Sequence, residues 1–305
     1  MDNSLRKELI SRLSFLGTEQ VNPETVDIDT LSPLEIVQKI NAEDKKVALI
    51  VEKALPKIAA AARMAAETLK AGRRIIYLGA GTSGRLGVLD AAECPPTFGT
   101  DPAQIIGLIS GGKETLVLSR EGAEDHRDWA IKDLQKANLQ GGDFVIGIAA
   151  SVRTPYTTAG LEYARSTGCK TGLIVCNHAG KLEINPDILI ELPVGPEAIT
   201  GSTRLKSGTA QKMTLNMITT TAMVLLGKTY GNLMVDLQAR SEKLAARSRK
   251  ILIELLRIDY DEADSLLSRA GGSVKTAIVM KKLDMDRAEA EKKLAEADGF
   301  LRRII

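Results

Sequence analysis

Gly79, Gly81 and Gly84 punctuate the stretch Arg74-Ile-Ile-Tyr-Leu-Gly-Ala-Gly-Thr-Ser-Gly-Arg85, in which an apolar run passes straight into small residues, two hydroxyls and a cation. Such a turn brings backbone amides close to an anion, and Gly81, Thr82, Ser83, Gly84 and Arg85 are its candidate ligands for a phosphate group. The same glycines spell the dinucleotide pattern G-x-G-x-x-G, which also requires an acidic residue about 20 positions on to hold the ribose hydroxyls. The next apolar run, Gln104-Ile-Ile-Gly-Leu-Ile109, ends instead in Ser110-Gly-Gly. A phosphate monoester is therefore favoured over a nucleotide cofactor or a purely structural glycine turn.

Three further segments carry the same chemistry. Ser110 is followed by Gly-Gly-Lys113; Ser151, Arg153 and Thr154 lie in Ser151-Val-Arg-Thr-Pro155; Ser202, Thr203, Arg204 and Lys206 lie in Thr200-Gly-Ser-Thr-Arg-Leu-Lys206. Each alone reads as ordinary turn and cap chemistry, whereas four at equivalent places make a donor-rich cradle for a phosphorylated sugar. Two carboxylates stand out for acid and base work. Glu93 sits in Asp90-Ala-Ala-Glu-Cys-Pro-Pro-Thr97, where Pro95-Pro96 is expected to end the helix and leave the acid in an apolar setting that favours its protonated form. Glu124 sits in Arg120-Glu-Gly-Ala-Glu-Asp125, where the alternative is favourable charge at a helix N-terminus. His126 and His178 form no Ser-His-Asp pattern and read as structural.

The elements that position these loops follow from periodicity. Residues 1–32 are polar and read as an extended arm. A helical pattern covers 33–71, and short β-branched runs at 74–78, 104–109, 143–148, 171–176 and 187–192 alternate with helical segments at 124–137 and 155–167. That rhythm predicts a parallel five-stranded sheet in a three-layer α/β/α sandwich, with ligands at the carboxyl ends of the strands. A long helix is expected to open at Thr200 and run to about Leu226. The boundaries drawn are 1–32 for the arm, 33–258 for the sheet domain with its flanking helices, and 259–305 for a helical module in three pieces, 261–269, 273–282 and 286–296. With 305 residues, 44% hydrophobic and 26% charged, the chain can bury one substantial core. A net charge of +2 and 3% aromatics argue against a nucleic-acid partner. No charge-free apolar run reaches the length of a membrane span, and no secretory leader is evident, so a soluble cytoplasmic protein is expected. Cys94, Cys169 and Cys176 have no metal-site spacing, so neither a metal nor a disulfide framework is expected.

The segments Tyr77–Thr97, Glu121-Gly-Ala-Glu-Asp125 and Gly195-Pro-Glu-Ala-Ile-Thr-Gly-Ser-Thr-Arg-Leu-Lys-Ser-Gly-Thr-Ala-Gln-Lys212 resemble those of N-acetylmuramic acid 6-phosphate etherases, and the likeness covers most of the chain. The last segment is also similar to a signature of glucokinase regulatory proteins, and the sheet core resembles the sugar isomerase, or SIS, domain. Gly231-Asn-Leu-Met-Val-Asp236 and Lys275-Thr-Ala-Ile-Val-Met280 fit as well. The resemblance implies lyase chemistry without cofactor or metal: N-acetylmuramic acid 6-phosphate and water give N-acetylglucosamine 6-phosphate and D-lactate. It assigns the position of Glu93 to the acid that assists lactate departure and then activates water, and that of Glu124 to the acid/base at C2. It also implies that the C-terminal module, UBA-like, caps the sugar site, a passive stabilising role being the alternative. The long apolar helices 33–71 and 207–227 suggest a homodimer. One departure stands out: where the family reads Ala-Ser-Gly-Arg-Thr-Pro, this chain has Val152, a residue that tolerates positive φ poorly. A non-catalytic phosphosugar sensor and a phosphosugar isomerase on the same fold remain the competing classes.

Overall fold

The structure, a computed structural model, describes residues 16–151, 154–180, 182, 184–237 and 242–305. The chain divides into two compact units, residues 1–90 with 106–218, and residues 91–105 with 219–305.

In the first unit, helix α1 (Pro33–Lys70) starts with a capping box in which Ser32 and Glu35 serve each other's backbone amides, with Pro33 at its first position. Val47, Val51, Ile58, Ala62, Ala65 and Leu69 recur at helical spacing and are buried. The strands are β1 (Ile75–Gly79), β2 (Ile105–Ile109, whose first residue belongs to the second unit), β3 (Phe144–Ile148), β4 (Lys170–Val175) and β5 (Ile188–Glu191). They form one sheet in the order β2-β1-β3-β4-β5, with β1, β3, β4 and β5 in parallel register. The five expected strands and the parallel α/β architecture are thus present. Strands β1 and β3 are buried on both faces, which explains their unbroken apolar sequence. Helices α3 (Arg127–Lys136) and α4 (Pro155–Ser166) cover one face, closing a core that contains Ile76, Leu78, Leu134, Val145, Tyr156 and Leu161.

Helix α2 runs Gly81–Phe98 and contains both Pro95 and Pro96. The expectation that this pair ends the helix at Glu93 is corrected. Proline already has a helical φ, and the pair stands in a last turn that Phe98 anchors by burial and that Gly99 closes through a bond to the Pro95 carbonyl, which offsets the lost donors and the crowding of the preceding turn. Helix α5 (Lys206–Leu225) begins six residues later than expected. The cause is Glu197, fully buried, whose carboxylate accepts from the amides of Lys206 and Ser207 at 2.9 and 3.0 Å and from the Ser207 hydroxyl at 2.8 Å. That carboxylate caps the helix, leaving residues 199–205 in successive turns. The described part of the expected extended arm forms three short 3₁₀ turns, stapled by paired hydrogen bonds between Thr18 and Asn177 and by Thr25 Oγ1 donating to the Ala198 carbonyl at 2.9 Å. A chain of polar residues needs such partners to be held in place.

The second unit contains the hairpin β6 (Thr229–Tyr230) and β7 (Leu233–Met234) and helices α6 (Glu242–Leu256), α7 (Tyr260–Arg269), α8 (Val274–Leu283) and α9 (Arg287–Glu296). Its core joins Val235, Leu237, Ile251 and Leu252 to Leu266, Ile278, Val279 and Ala290, so the three terminal helices share one core with residues upstream of 259. Lys275 is buried and pairs with Asp236 at 2.8 Å, which ties together the two later stretches singled out by sequence.

Candidate functional site

Strand order reverses between β1 and β3, because β2 lies on one side of β1 and the later strands on the other. In an open parallel sheet the loops at such a switch point diverge and leave a crevice. A cleft of about 400 Å³ lies there, entirely within the first unit.

Its floor is the glycine turn. Gly79 and Gly84 pack backbone on backbone: a Cβ on Gly84 would stand 2.6 Å from the Gly79 carbonyl oxygen, and one on Gly79 would stand 2.8 Å from the Gly84 nitrogen. These two glycines seat the start of α2 on the end of β1. Gly81 instead has φ of +53° with open space where a side chain would be, so its need is conformational. The Gly84 amide bonds the Ala80 carbonyl, the first hydrogen bond of the helix, and Gly81, Thr82 and Ser83 present the first-turn amides toward the cleft. Ser83 is buried, and its hydroxyl donates to Gln211 Oε1 at 3.0 Å. From β3, Ala149, Ala150, Ser151 and Thr154 line the opposite side, and Thr203 contributes a hydroxyl.

Two expected phosphate ligands are engaged with protein groups. The Ser110 hydroxyl donates to the Ala123 carbonyl at 2.5 Å, which pins the 3₁₀ turn Ala123–Asp125 carrying Glu124. Arg85 donates from Nε to the Leu116 carbonyl and from Nη2 to that of Thr115, at 3.1 and 2.8 Å, bracing the loop after β2. Both residues still line the cleft, with their main bonds directed to loop order.

Glu124 is exposed and lines the cleft, with Glu121 and Arg120 beside it. Arg120 lies 4.8 Å above the ring of Trp129, on whose plane His126 stacks at 4.0 Å. The sheet topology therefore brings together Gly81, Thr82, Ser83, Arg85, Ser110, Glu124, Ser151, Thr154 and Thr203. Gly84 lies beneath the turn. Arg153 and Val152 fall outside the described residues. Ser202 and Arg204 are absent from the lining, and Arg204 is exposed.

Lys206 is placed elsewhere. Its ammonium is buried and bonded to Glu43 Oε2 of α1 at 2.5 Å, and Glu43 also pairs with Lys46. A cation neutralised in this way is a structural group, and the expectation that it binds phosphate is corrected. Glu93 belongs to the second unit and is exposed on α2; the expected apolar shielding of its carboxyl is not present in this chain.

Sequence reasoning missed Thr18, Glu19, Thr115, Ser119 and Arg120 in the lining. Thr18 and Glu19 sit in a polar segment without periodicity and are held at the cleft by the Asn177 staple and by the Gly201 amide donating to the Thr18 carbonyl. Arg120 carried a legible signal, a cation two residues after Val117-Leu118 in a segment already singled out.

If this cleft holds the phosphate, Ser83→Ala and Thr154→Ala are expected to weaken binding of a phosphorylated sugar by about 1–3 kcal/mol each, with the melting temperature nearly unchanged in Thr154→Ala and lowered in Ser83→Ala, which leaves the buried Gln211 Oε1 without its donor. Steady-state KM with thermal unfolding of the same samples checks this, and wild-type KM in both variants would put the phosphate elsewhere.

Comparison with known proteins places the chain in a family. The family model for the glucokinase regulatory protein N-terminal SIS domain matches residues 57–165. The N-acetylmuramic acid 6-phosphate etherase of Erwinia tasmaniensis is 52% identical over 293 residues, covering 96% of each chain. N-acetylmuramic acid 6-phosphate etherase 2 of Vibrio cholerae is 50% identical over 297 residues, covering 97% of each. A solved phosphoheptose isomerase from Francisella tularensis covers 63% of this chain and 98% of its own at 15% identity, with a TM-score of 0.47. Half of all positions shared over nearly the whole length is decisive: the chain belongs to the N-acetylmuramic acid 6-phosphate etherase family.

Proposed function

We propose that this protein cleaves the D-lactyl ether of N-acetylmuramic acid 6-phosphate, giving N-acetylglucosamine 6-phosphate and D-lactate, as a carbon–oxygen lyase of amino-sugar catabolism. The observation that carries the reading is the cleft at the β1/β3 switch point, where the first turn of α2, Ser151, Thr154 and Thr203 line the same space as Glu124. The donors suit the phosphate, and the carboxylate suits proton transfer on the sugar.

The open-chain aldehyde acidifies the proton at C2. Glu124 removes it, the C3–O bond to lactate breaks as an acid protonates the departing oxygen, and water then adds to the unsaturated aldehyde at C3 with the reverse proton movements. Glu93 is the second acid/base in this scheme. Each group of this kind is typically worth ~10²–10⁴ in rate.

Four large apolar residues of α1, Leu34, Val37, Leu49 and Leu55, are exposed. At about 100° per residue they fall within roughly a third of the helix circumference, away from its buried stripe. This second apolar arc supports a homodimer that packs α1 against a copy of itself. The three cysteines are buried and joined in no disulfide, which suits the reducing cytoplasm, and among the described residues no helix is long and apolar enough to cross a membrane.

Purified protein incubated with N-acetylmuramic acid 6-phosphate is expected to release D-lactate, and to keep doing so in excess EDTA because two carboxylates carry the proton transfers. Absence of D-lactate would overturn the reading, and loss on chelation with recovery on adding a divalent ion would overturn the carboxylate-only mechanism.

A further inference from the structure

Gln211 lies on α5 with 1% of its surface exposed, and its carboxamide meets the Ser83 hydroxyl from behind the glycine turn. As arranged, the single hydroxyl hydrogen of Ser83 points at Gln211 Oε1, 3.0 Å away, and so points away from any anion in the cleft. On the other arm of the same amide, Nε2 is buried without a hydrogen-bonding partner. Beside the amide lies the thiol of Cys176, pushed up to about 12 by burial, which donates to the Ser207 carbonyl at 3.6 Å and offers its sulfur only as a weak acceptor. A buried amide hydrogen without an oxygen partner is uncommon, because desolvation without a bond is costly.

We infer that Gln211 is a positioning residue for phosphate recognition, turning its carboxamide by half a rotation when the anion binds. This inference rests on the reading of the cleft as the phosphate site. Rotation exchanges the two ends of the amide. Nε2 then donates to a lone pair of Ser83 Oγ, which frees the hydroxyl hydrogen for a phosphate oxygen, while Oε1 turns to the Cys176 side, where it can accept from the thiol in place of the Ser207 carbonyl. The carboxamide nitrogen thereby gains an oxygen acceptor in the bound state that it lacks in the free state. Ser83 thereby becomes a donor to the ligand that is itself polarised by a bond from Gln211, the chain arrangement in which hydrogen bonds reinforce one another.

The test is a double-mutant cycle on Kd for N-acetylglucosamine 6-phosphate, measured by titration calorimetry, with KM and kcat measured on the same proteins. Gln211→Met removes both ends of the amide at similar length, and Gln211→Asn withdraws them by one methylene. Each is expected to raise Kd by about fivefold to twentyfold, the worth of one hydrogen bond to a charged acceptor, with the loss falling on KM more than on kcat. In a Ser83→Ala background each is expected to raise Kd less than twofold further, because the group it positions is gone. A Gln211 effect equally large with and without Ser83 would assign it to general support of the fold and overturn the proposal, as would unchanged Kd in both single variants. If Ser83→Ala itself leaves Kd unchanged, the reading of the phosphate site fails, an outcome distinct from the other two. Should one variant fail to fold, the other completes the cycle.

Discussion

Glu124→Gln is expected to abolish both D-lactate release and solvent exchange at C2 of the sugar, whereas Glu93→Gln is expected to abolish release alone. The difference follows from the order of bond changes. Proton removal at C2 comes first, so a chain lacking that base never reaches the elimination. Glutamine at 93 keeps the shape of the side chain and cannot protonate the departing lactate oxygen, while Glu124 remains able to exchange the C2 proton. Loss of about 10²–10⁴ in kcat/KM is the scale for either group. NMR of recovered substrate in deuterium oxide reads the two patterns directly: deuterium at C2 without lactate in Glu93→Gln, and neither in Glu124→Gln. The reverse pattern would exchange the roles, and full lactate release in both would mean that neither glutamate is catalytic.

The largest stability effect is expected at Lys206. Replacing it by Met leaves Glu43 buried with only Lys46 for charge balance, and unpairing a buried ion commonly costs ~3–5 kcal/mol. The remaining Lys46 pair puts the expected loss near the lower end, about 3 kcal/mol, with KM for the sugar phosphate changed less than twofold. A large KM change with unaltered unfolding would restore Lys206 to the phosphate site. The pH dependence has a definite sign. Burial raises the Glu43 carboxyl, but its hydrogen bonds with Lys206 and Lys46 outweigh that and hold it below its ordinary value of 4.5. Its contribution is thus fully present above that value and lost as pH falls through the lower, folded-state pKa. Wild-type protein should show this acid-side loss, and Lys206→Met should show less of it.

The contrast between Lys206 and Ser83 shows how much of the site was legible in the chain. The place of Ser83 was readable because it follows from local geometry: a strand, a glycine turn and a helix start put it at the carboxyl end of the sheet, lining the cleft, whatever else the chain does. The position of the sheet and its five strands were readable for the same reason, since β-branched runs and helical periods are local. Lys206 was not, because whether a cation faces a ligand or a buried carboxylate depends on Glu43, 163 residues away along the chain. The late start of α5 has a similar origin in Glu197, whose buried carboxylate displaces the hydroxyl caps that the Thr200–Thr203 stretch offers. Pro95-Pro96 misled for a different reason. The rule that proline ends a helix concerns the hydrogen bond it removes, and in a final turn held by Phe98 that loss is small. The cleft residues Thr18 and Glu19 belong to a third class, a polar segment given its place by tertiary hydrogen bonds to Asn177 and Gly201.

The central claim is that the ether is broken by elimination across C2 and C3 followed by addition of water to the sugar. Running the reaction in ¹⁸O-enriched water and taking mass spectra of both products tests it most directly. The expected result is one ¹⁸O at the C3 hydroxyl of N-acetylglucosamine 6-phosphate and none in D-lactate beyond ordinary background. Label in the lactate hydroxyl instead would mean that water attacks the lactyl carbon and that the C3–O bond never breaks, which would contradict the account.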